Sequence, residues 1–191
     1  MNIGIIGQGF VGSAIREGLK SFYPCYTYDL DSSRCTHTHE EVVDNADIIF
    51  VCVPTPMFES GECDLSIVES VVDEIANSMI WAIPEMRSKK LVLVIKSTVV
   101  PGTTEKLDEK YKDHPNISFV FNPEFLTERK ARLDFINTSR IVLGGNNKAS
   151  LQKVEELYRL RFPYTKMIKT DFGTAQLIKY MANCFFATKV S

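Results

Sequence analysis

The sequence predicts an α/β fold built on a doubly wound, mainly parallel sheet, and three observations carry that expectation. Short apolar runs alternate with segments of helical period almost from end to end. Several of the runs are apolar at consecutive positions, as strands covered on both faces must be. No internal repeat, low-complexity tract or flexible linker interrupts the alternation.

Taken in order, the first strand is NIGIIG from Asn2, and the glycines behind it open a helix over residues 11–21. CYTYDL from Cys25 is the second strand, followed by a polar stretch through His37, Thr38 and His39 that reads as a solvated loop. DIIFVCV from Asp47 is the third. Residues 54–64 form the one long irregular piece, leaving a strand end, where α/β proteins bind ligands. A helix over 65–80 leads to LVLVIK from Leu91, and a helix over 103–112 leads to ISFVF from Ile117. RIVLGG from Arg140, a helix over 149–161 and a weaker strand, TKMIK from Thr165, complete the alternation. The last helix, from Gly173 onward, contains AQLIKYMANCFFATKVS, apolar nearly all round, which implies burial on every side. The chain stops inside it without glycine cap or proline stop, as a truncated chain would. The expected division is an α/β domain over 1–170 and a truncated final helix over 171–191; the resemblance drawn below implies that the first binds a dinucleotide and the second starts a connecting helix, with a C-terminal substrate domain absent.

Composition narrows the class. The 191 residues are 45% hydrophobic and 24% charged, as in an ordinary soluble domain. A net charge of -2 gives no electrostatic reason to expect a nucleic acid or an anionic membrane as partner. No apolar run approaches a membrane span, and the opening MNIGIIGQGF lacks the basic region of a signal peptide. Five cysteines without C-x-x-C spacing read as reduced thiols of a cytoplasmic protein. His37 and His39 could be metal ligands, but no acidic or thiol motif completes a site, and no metal is expected.

Gly7-Gln8-Gly9-Phe10-Val11-Gly12 is G-x-G-x-x-G directly after a strand and opening a helix, the Rossmann-type dinucleotide fingerprint. Gly7 permits the tight turn, Gly9 lets the backbone approach a pyrophosphate, and Gly12 lets helix pack on strand. The pyrophosphate then meets the free N–H groups and dipole of the helix start. Asp29 ends the second strand near the offset expected for a carboxylate on the ribose hydroxyls, where it would repel a 2′-phosphate and favour NAD over NADP. Glycines also mark plain tight turns, and Asp29 could be a turn residue. Arg34 could steady the adenosine or stand exposed on a helix.

Three further segments sit at strand ends. Val53-Pro54-Thr55-Pro56 brackets a hydroxyl with two prolines. Lys96-Ser97-Thr98-Val99-Val100-Pro101-Gly102-Thr103 offers hydroxyls and a proline-initiated helix. Asn122-Pro123-Glu124-Phe125-Leu126 holds a carboxylate on locked backbone, a candidate base or a surface ion-pair partner. Lys179 and Asn183, four apart, share one face of an otherwise apolar helix. Lysine is seldom buried unless paired or functional, so either that face meets water or the pair does chemistry.

Together GQGFVG, VPTP, KSTVVPGTT, NPEFLTERKA, RIVLGG and LIKYMANCFFATKVS resemble the UDP-glucose/GDP-mannose dehydrogenase family, across its N-terminal domain and the start of its connecting helix. The resemblance implies oxidation of the C6 alcohol of a UDP- or GDP-sugar to the carboxylate, reducing two NAD⁺ through a cysteine thioester. It implies that Glu124 assists the hydrolytic water, directly or through Thr98, and that Lys179 and Asn183 stabilise oxyanions. NAD would be held by the glycine loop (Gly7, Gly9, Phe10, Val11, Gly12) with Asp29, Arg34, Thr55, Thr98 and Glu128. Glu124, Phe125, Leu126, Lys179 and Asn183 would meet the sugar nucleotide. The resemblance further implies a homo-oligomer through the final helix. Two departures stand out: Arg129 replaces a glycine of the family's NPEFL-x-E-G, and the nucleophilic cysteine of G-G-x-C-x-P-K-D has no counterpart before Ser191. Cys52 reads as core, and Cys184 is turned about 100° from Asn183 on the helix. Two alternatives stay open: a relative of 6-phosphogluconate or 3-hydroxyacid dehydrogenases, against which NPEFL and VPTP argue, and a non-catalytic NAD-binding module.

Overall fold

The computed structural model describes residues 1–81 and 89–190. All seven expected strands form: β1 (Ile3–Ile6), β2 (Cys25–Tyr28), β3 (Ile48–Val51), β4 (Leu91–Ile95), β5 (Ile117–Phe121), β6 (Arg140–Gly144) and β7 (Lys166–Thr170). The helices between them are α1 (Phe10–Leu19), α2 (His39–Asn45), α3 (Ser66–Trp81), α4 (Thr103–Lys110), α5 (Ala131–Ile136), α6 (Lys148–Arg161) and α7 (Phe172–Val190). One sheet runs in the order β2-β1-β3-β4-β5-β6-β7, parallel throughout except where β6 meets β5.

The consecutive apolar residues of the strands serve both faces. Ile48 and Phe50 pack with Ile15, Leu19, Phe135 and Tyr158 from α1, α5 and α6. Ile49 and Val51 pack with Val42, Val68, Val72 and Ile75 from α2 and α3. Two cores of this kind are what a doubly wound sheet needs, since each face of a central strand must leave water. The outer edge of β2 is shielded by the following loop, where Thr36 and His37 donate their backbone N–H to Thr27 O.

Two helices go beyond the sequence expectation. His37, Thr38 and His39 do not form a simple loop. Thr38 caps α2, accepting from the Glu41 amide while the Glu41 carboxylate takes the Thr38 amide. α5 is six residues long, its Phe135 buried between α1 and α6. Helix α4 starts at Thr103, behind a left-handed Gly102, so Pro101 lies in the preceding turn and not in the first helical position. In α7 the first half is covered: Phe172, Ala175, Gln176 and Lys179 are buried. The second half is not, and Met181, Phe185 and Phe186 are each more than 60% exposed.

Candidate functional site

Strand register fixes the site. Ile6 stands opposite Tyr28 and Val51, Val51 opposite Ile95, and Ile95 opposite Phe121. The residues immediately beyond, Gly7, Asp29, Cys52, Lys96 and Asn122, therefore form one row along the carboxyl edge of the sheet. Between β1 and β3 the chain changes direction, because α1 leads to β2 on one side and α2 returns to β3 on the other. That switch point opens the crevice where α/β sheets bind ligands.

The glycine loop is built as its spacing requires. Gly7 has φ +90°, and a side chain there would meet the Cys52 carbonyl. A Cβ on Gly12 would lie 1.8 Å from the Gly7 oxygen, so the start of α1 presses directly on the turn. Gly9, by contrast, faces open space, and no side chain caps the α1 N-terminus. Free amides beside open space fit an anionic pyrophosphate. Asp29 is tied to this loop: its carboxylate accepts from the Gln8 amide at 2.6 Å and from the Asp31 amide at 2.9 Å. It serves the turn and the cleft at once. Arg34 is also shared, paired with Asp31 at 3.0 Å yet lining the same cleft.

Across the switch point the hydroxyls are fixed by backbone. Thr55 Oγ1 donates to the Thr98 carbonyl at 2.8 Å, joining the loops after β3 and β4. Ser97 Oγ donates to Val53 O at 2.6 Å. Glu124 accepts the Lys179 ammonium on Oε1 at 2.7 Å and the Leu126 amide on Oε2. Their side chains are only 15% and 7% exposed, so this is a largely buried pair and not a surface salt bridge. Beneath it lies Lys96, whose Nζ donates to Asn122 Oδ1 at 3.1 Å; Tyr158 Oη donates to the same oxygen at 2.6 Å. Burial pushes the Lys96 pKa down to about 8, Cys52 and Glu124 opposing and Lys179 adding to the effect. Burial also pushes the Cys52 thiol up to about 12.

A family model described as "UDP-glucose/GDP-mannose dehydrogenase family, NAD binding domain" matches residues 25–161. The chain belongs to the UDP-glucose/GDP-mannose dehydrogenase family. A UDP-glucose 6-dehydrogenase of Rickettsia felis is 33% identical over all of this chain and 48% of its own length. One of Bacillus subtilis is 30% identical, over all of the chain and 49% of its own length. Among solved structures, a GDP-mannose dehydrogenase of Pseudomonas aeruginosa shares the fold at TM-score 0.87 and 24% identity, covering 100% of this chain and 51% of the other. A UDP-glucose dehydrogenase of Pyrobaculum islandicum superposes at TM-score 0.83 and 25% identity, over 97% of this chain and 50% of that one. The chain thus spans about half the length of the curated UDP-glucose 6-dehydrogenases it matches. The matched domain is the NAD-binding one, and the described residues fit that cofactor at the glycine loop and Asp29.

Within this family domain, the cleft has a volume of about 900 Å³. Gly7, Gly9, Phe10, Val11 and Asp29 line one end, with Arg34. Thr55, Thr98 and Glu124 line the other. Gly12 does not face the cleft, and its place is in packing. Glu128 lies outside it, in an adjoining hollow with Gly9, Phe10 and Arg34. Phe125 and Leu126 stand behind Glu124, the Phe125 ring under the Arg140 guanidinium and near Lys179. Asn183 is exposed one turn beyond the buried Lys179, so the shared face leaves the protein between them. Cys52 packs against the core as expected but follows β3 instead of lying within it, and it also lines the cleft. Sequence reasoning named Lys96 and Asn122 only as the first residues of their strand-end segments and weighed His39 only as a metal ligand, giving none of them a place at the cleft. A lysine closing the apolar run LVLVI was the signal for the first. His39 opens α2, lines the cleft edge-on to Tyr28, and keeps Nε2 buried with no partner in the described structure.

Proposed function

We propose that this chain is the cofactor-binding portion of an enzyme that oxidises the C6 alcohol of a nucleotide sugar, a UDP- or GDP-sugar, to the uronic acid. The observation that carries the reading is the buried Glu124–Lys179 pair, 2.7 Å apart, at the opposite end of one cleft from Asp29 and the glycine loop. When bound, NAD accepts hydride; the protein supplies position and electrostatics. Asp29 holds the adenosine ribose, aided by Arg34, and the amides from Gly9 to Val11 hold the pyrophosphate. Thr55 and Thr98 border the rest of the cofactor, and Glu128 approaches from the adjoining hollow beside the glycine loop. Glu124 accepts a proton from the hydrolytic water, directly or through Thr98. Lys179, and Asn183 once covered, stabilise negative charge on the C6 oxygen, while Phe125 and Leu126 border the sugar nucleotide.

The five thiols of the chain do not serve as the nucleophile in this scheme. Cys25 and Cys52 are pushed up to about 11 and about 12 by burial, so neither supplies a thiolate near neutral pH. Cys35 is engaged with the Asp29 backbone, Cys63 sits in the loop after β3 bridged to Met57, and Cys184 is exposed on α7. We therefore assign that role to a thiol outside these residues. The exposed half of α7 supports a homo-oligomer formed through Phe185 and Phe186. Calorimetric titration with NAD(H) and NADP(H), without sugar, tests the cofactor half of the reading. Clear preference for NAD(H) supports it; equal or tighter binding of NADP(H) removes the role given to Asp29.

A further inference from the structure

Lys96 takes no part in the scheme above, yet it occupies the middle of the site. With Asp29 fixing the adenosine half beside β2 and the α1 amides fixing the pyrophosphate, the other half of a dinucleotide extends over the ends of β3, β4 and β5. Those ends carry Cys52, Lys96 and Asn122. Lys96 is 5% exposed, lines the cleft, and its ammonium contacts a neutral oxygen, that of Asn122, at 3.1 Å. Among the described residues no carboxylate lies within ion-pair distance of it.

The groups that face Lys96 are Cys52 after β3, Glu124 after β5, Tyr158 on α6 and Lys179 on α7. Burial keeps the Cys52 thiol and the Tyr158 phenol protonated and neutral. Glu124 is already matched by Lys179 at 2.7 Å. One buried positive charge is thus left over at this end of the cleft, where water screens it poorly.

We propose that Lys96 sets the cofactor's redox-state preference, its buried charge weakening binding of the oxidised, positively charged nicotinamide relative to the reduced, neutral ring. The adenosine and pyrophosphate are common to both forms, so their contributions cancel in the ratio of the two dissociation constants. That ratio isolates the charge felt by the ring. Because burial brings Lys96 down to about 8, the discrimination is full below that pH and fades above it, through tighter binding of NAD⁺. The inference rests on the dinucleotide reading of the cleft.

The test is calorimetric titration of this chain with NAD⁺ and with NADH, from about pH 6.5 to about 9.5 to span the lysine's titration. In the unmodified chain Kd(NAD⁺)/Kd(NADH) falls as pH rises through about 8. Lys96→Met lowers the ratio about tenfold at the acid end, the size of effect one charge makes about 12 Å away at an effective dielectric constant of about 20, and flattens its pH profile. Lys96→Arg keeps the high ratio but not the pH dependence, since a guanidinium stays charged. The pH series needs no substitution, so it decides even where Lys96→Met fails to fold. Binding of both forms with a ratio independent of pH, or a profile that survives Lys96→Met, overturns the role of Lys96. Failure of the unmodified chain to bind either form overturns the dinucleotide reading and this inference with it.

Discussion

At Asp29 the carboxylate is held from below by the Gln8 and Asp31 amides, which leaves its outer face toward the cleft. Asp29→Ala removes a charge-assisted partner for the ribose hydroxyls and loosens the glycine loop. Calorimetry is expected to give an increase of about ten- to a hundredfold in Kd for NAD(H), from the roughly 1.5–3 kcal/mol of a hydrogen bond to a charged group. The gap between NAD(H) and NADP(H) narrows in the same variant, because no charge remains to repel a 2′-phosphate. An unchanged gap would show that Asp29 serves only the turn. Lys179 makes a second prediction at this scale. Its removal strands Glu124 in a site where the carboxylate is 15% exposed, so Lys179→Met should destabilise by about 3–5 kcal/mol in denaturant titration. Adding Glu124→Gln restores much of that loss. A single-variant change within about 0.5 kcal/mol would mean that solvent screens the pair.

Among the elements, strands were legible and short helices were not. Every segment chosen as a strand became one, because a short apolar run bounded by turn residues fits a strand covered on both faces. α2 and α5 have seven and six residues, too few for the helical period to repeat convincingly. The Thr38-x-x-Glu41 box was nevertheless available as a start signal for α2. α7 carries the third prediction. Its all-round apolarity implied burial on every side, but the sheet and α4 cover only the half that ends near Lys179. Phe185 and Phe186 stack edge to face on each other in solvent, and Leu177 and Met181 are exposed beside them. Burying such side chains supplies several kcal/mol at about 25 cal/mol per Å². Size exclusion with light scattering should find a dimer or larger species at tens of micromolar, shifted toward monomer by Phe185→Glu. A monomer indifferent to that change would refute association through α7.

For the molecule as a whole, the fourth prediction concerns activity. In the proposed reading the described residues hold both ends of a cofactor cleft and the Glu124–Lys179 pair, and the thiol that lines this cleft, Cys52, is kept protonated by burial. The chain by itself should release no uronic acid from UDP- or GDP-sugars in a coupled NADH and product assay. Sustained NADH formation at two per sugar would contradict that and place the nucleophile among its own cysteines. Among the described residues, no helix is long and apolar enough to cross a membrane.

The sequence alone determined the strand–helix alternation, the glycine loop and its partner Asp29, and the candidates at each strand end. These depend on local chemistry: apolar runs, a turn that only glycine tolerates, a carboxylate at a set offset. It left Arg34, Asp29 and Glu124 each with two readings, and in the structure each side chain makes a structural bond and also borders the cleft, which is compatible with both. What only tertiary structure decided is which strand ends stand side by side. Register and strand order, fixed by the packing of both faces, bring Lys96, Asn122 and Tyr158 together from positions far apart in the chain. The same packing leaves one lysine without a counter-charge, a property of the assembled site that no single segment carries.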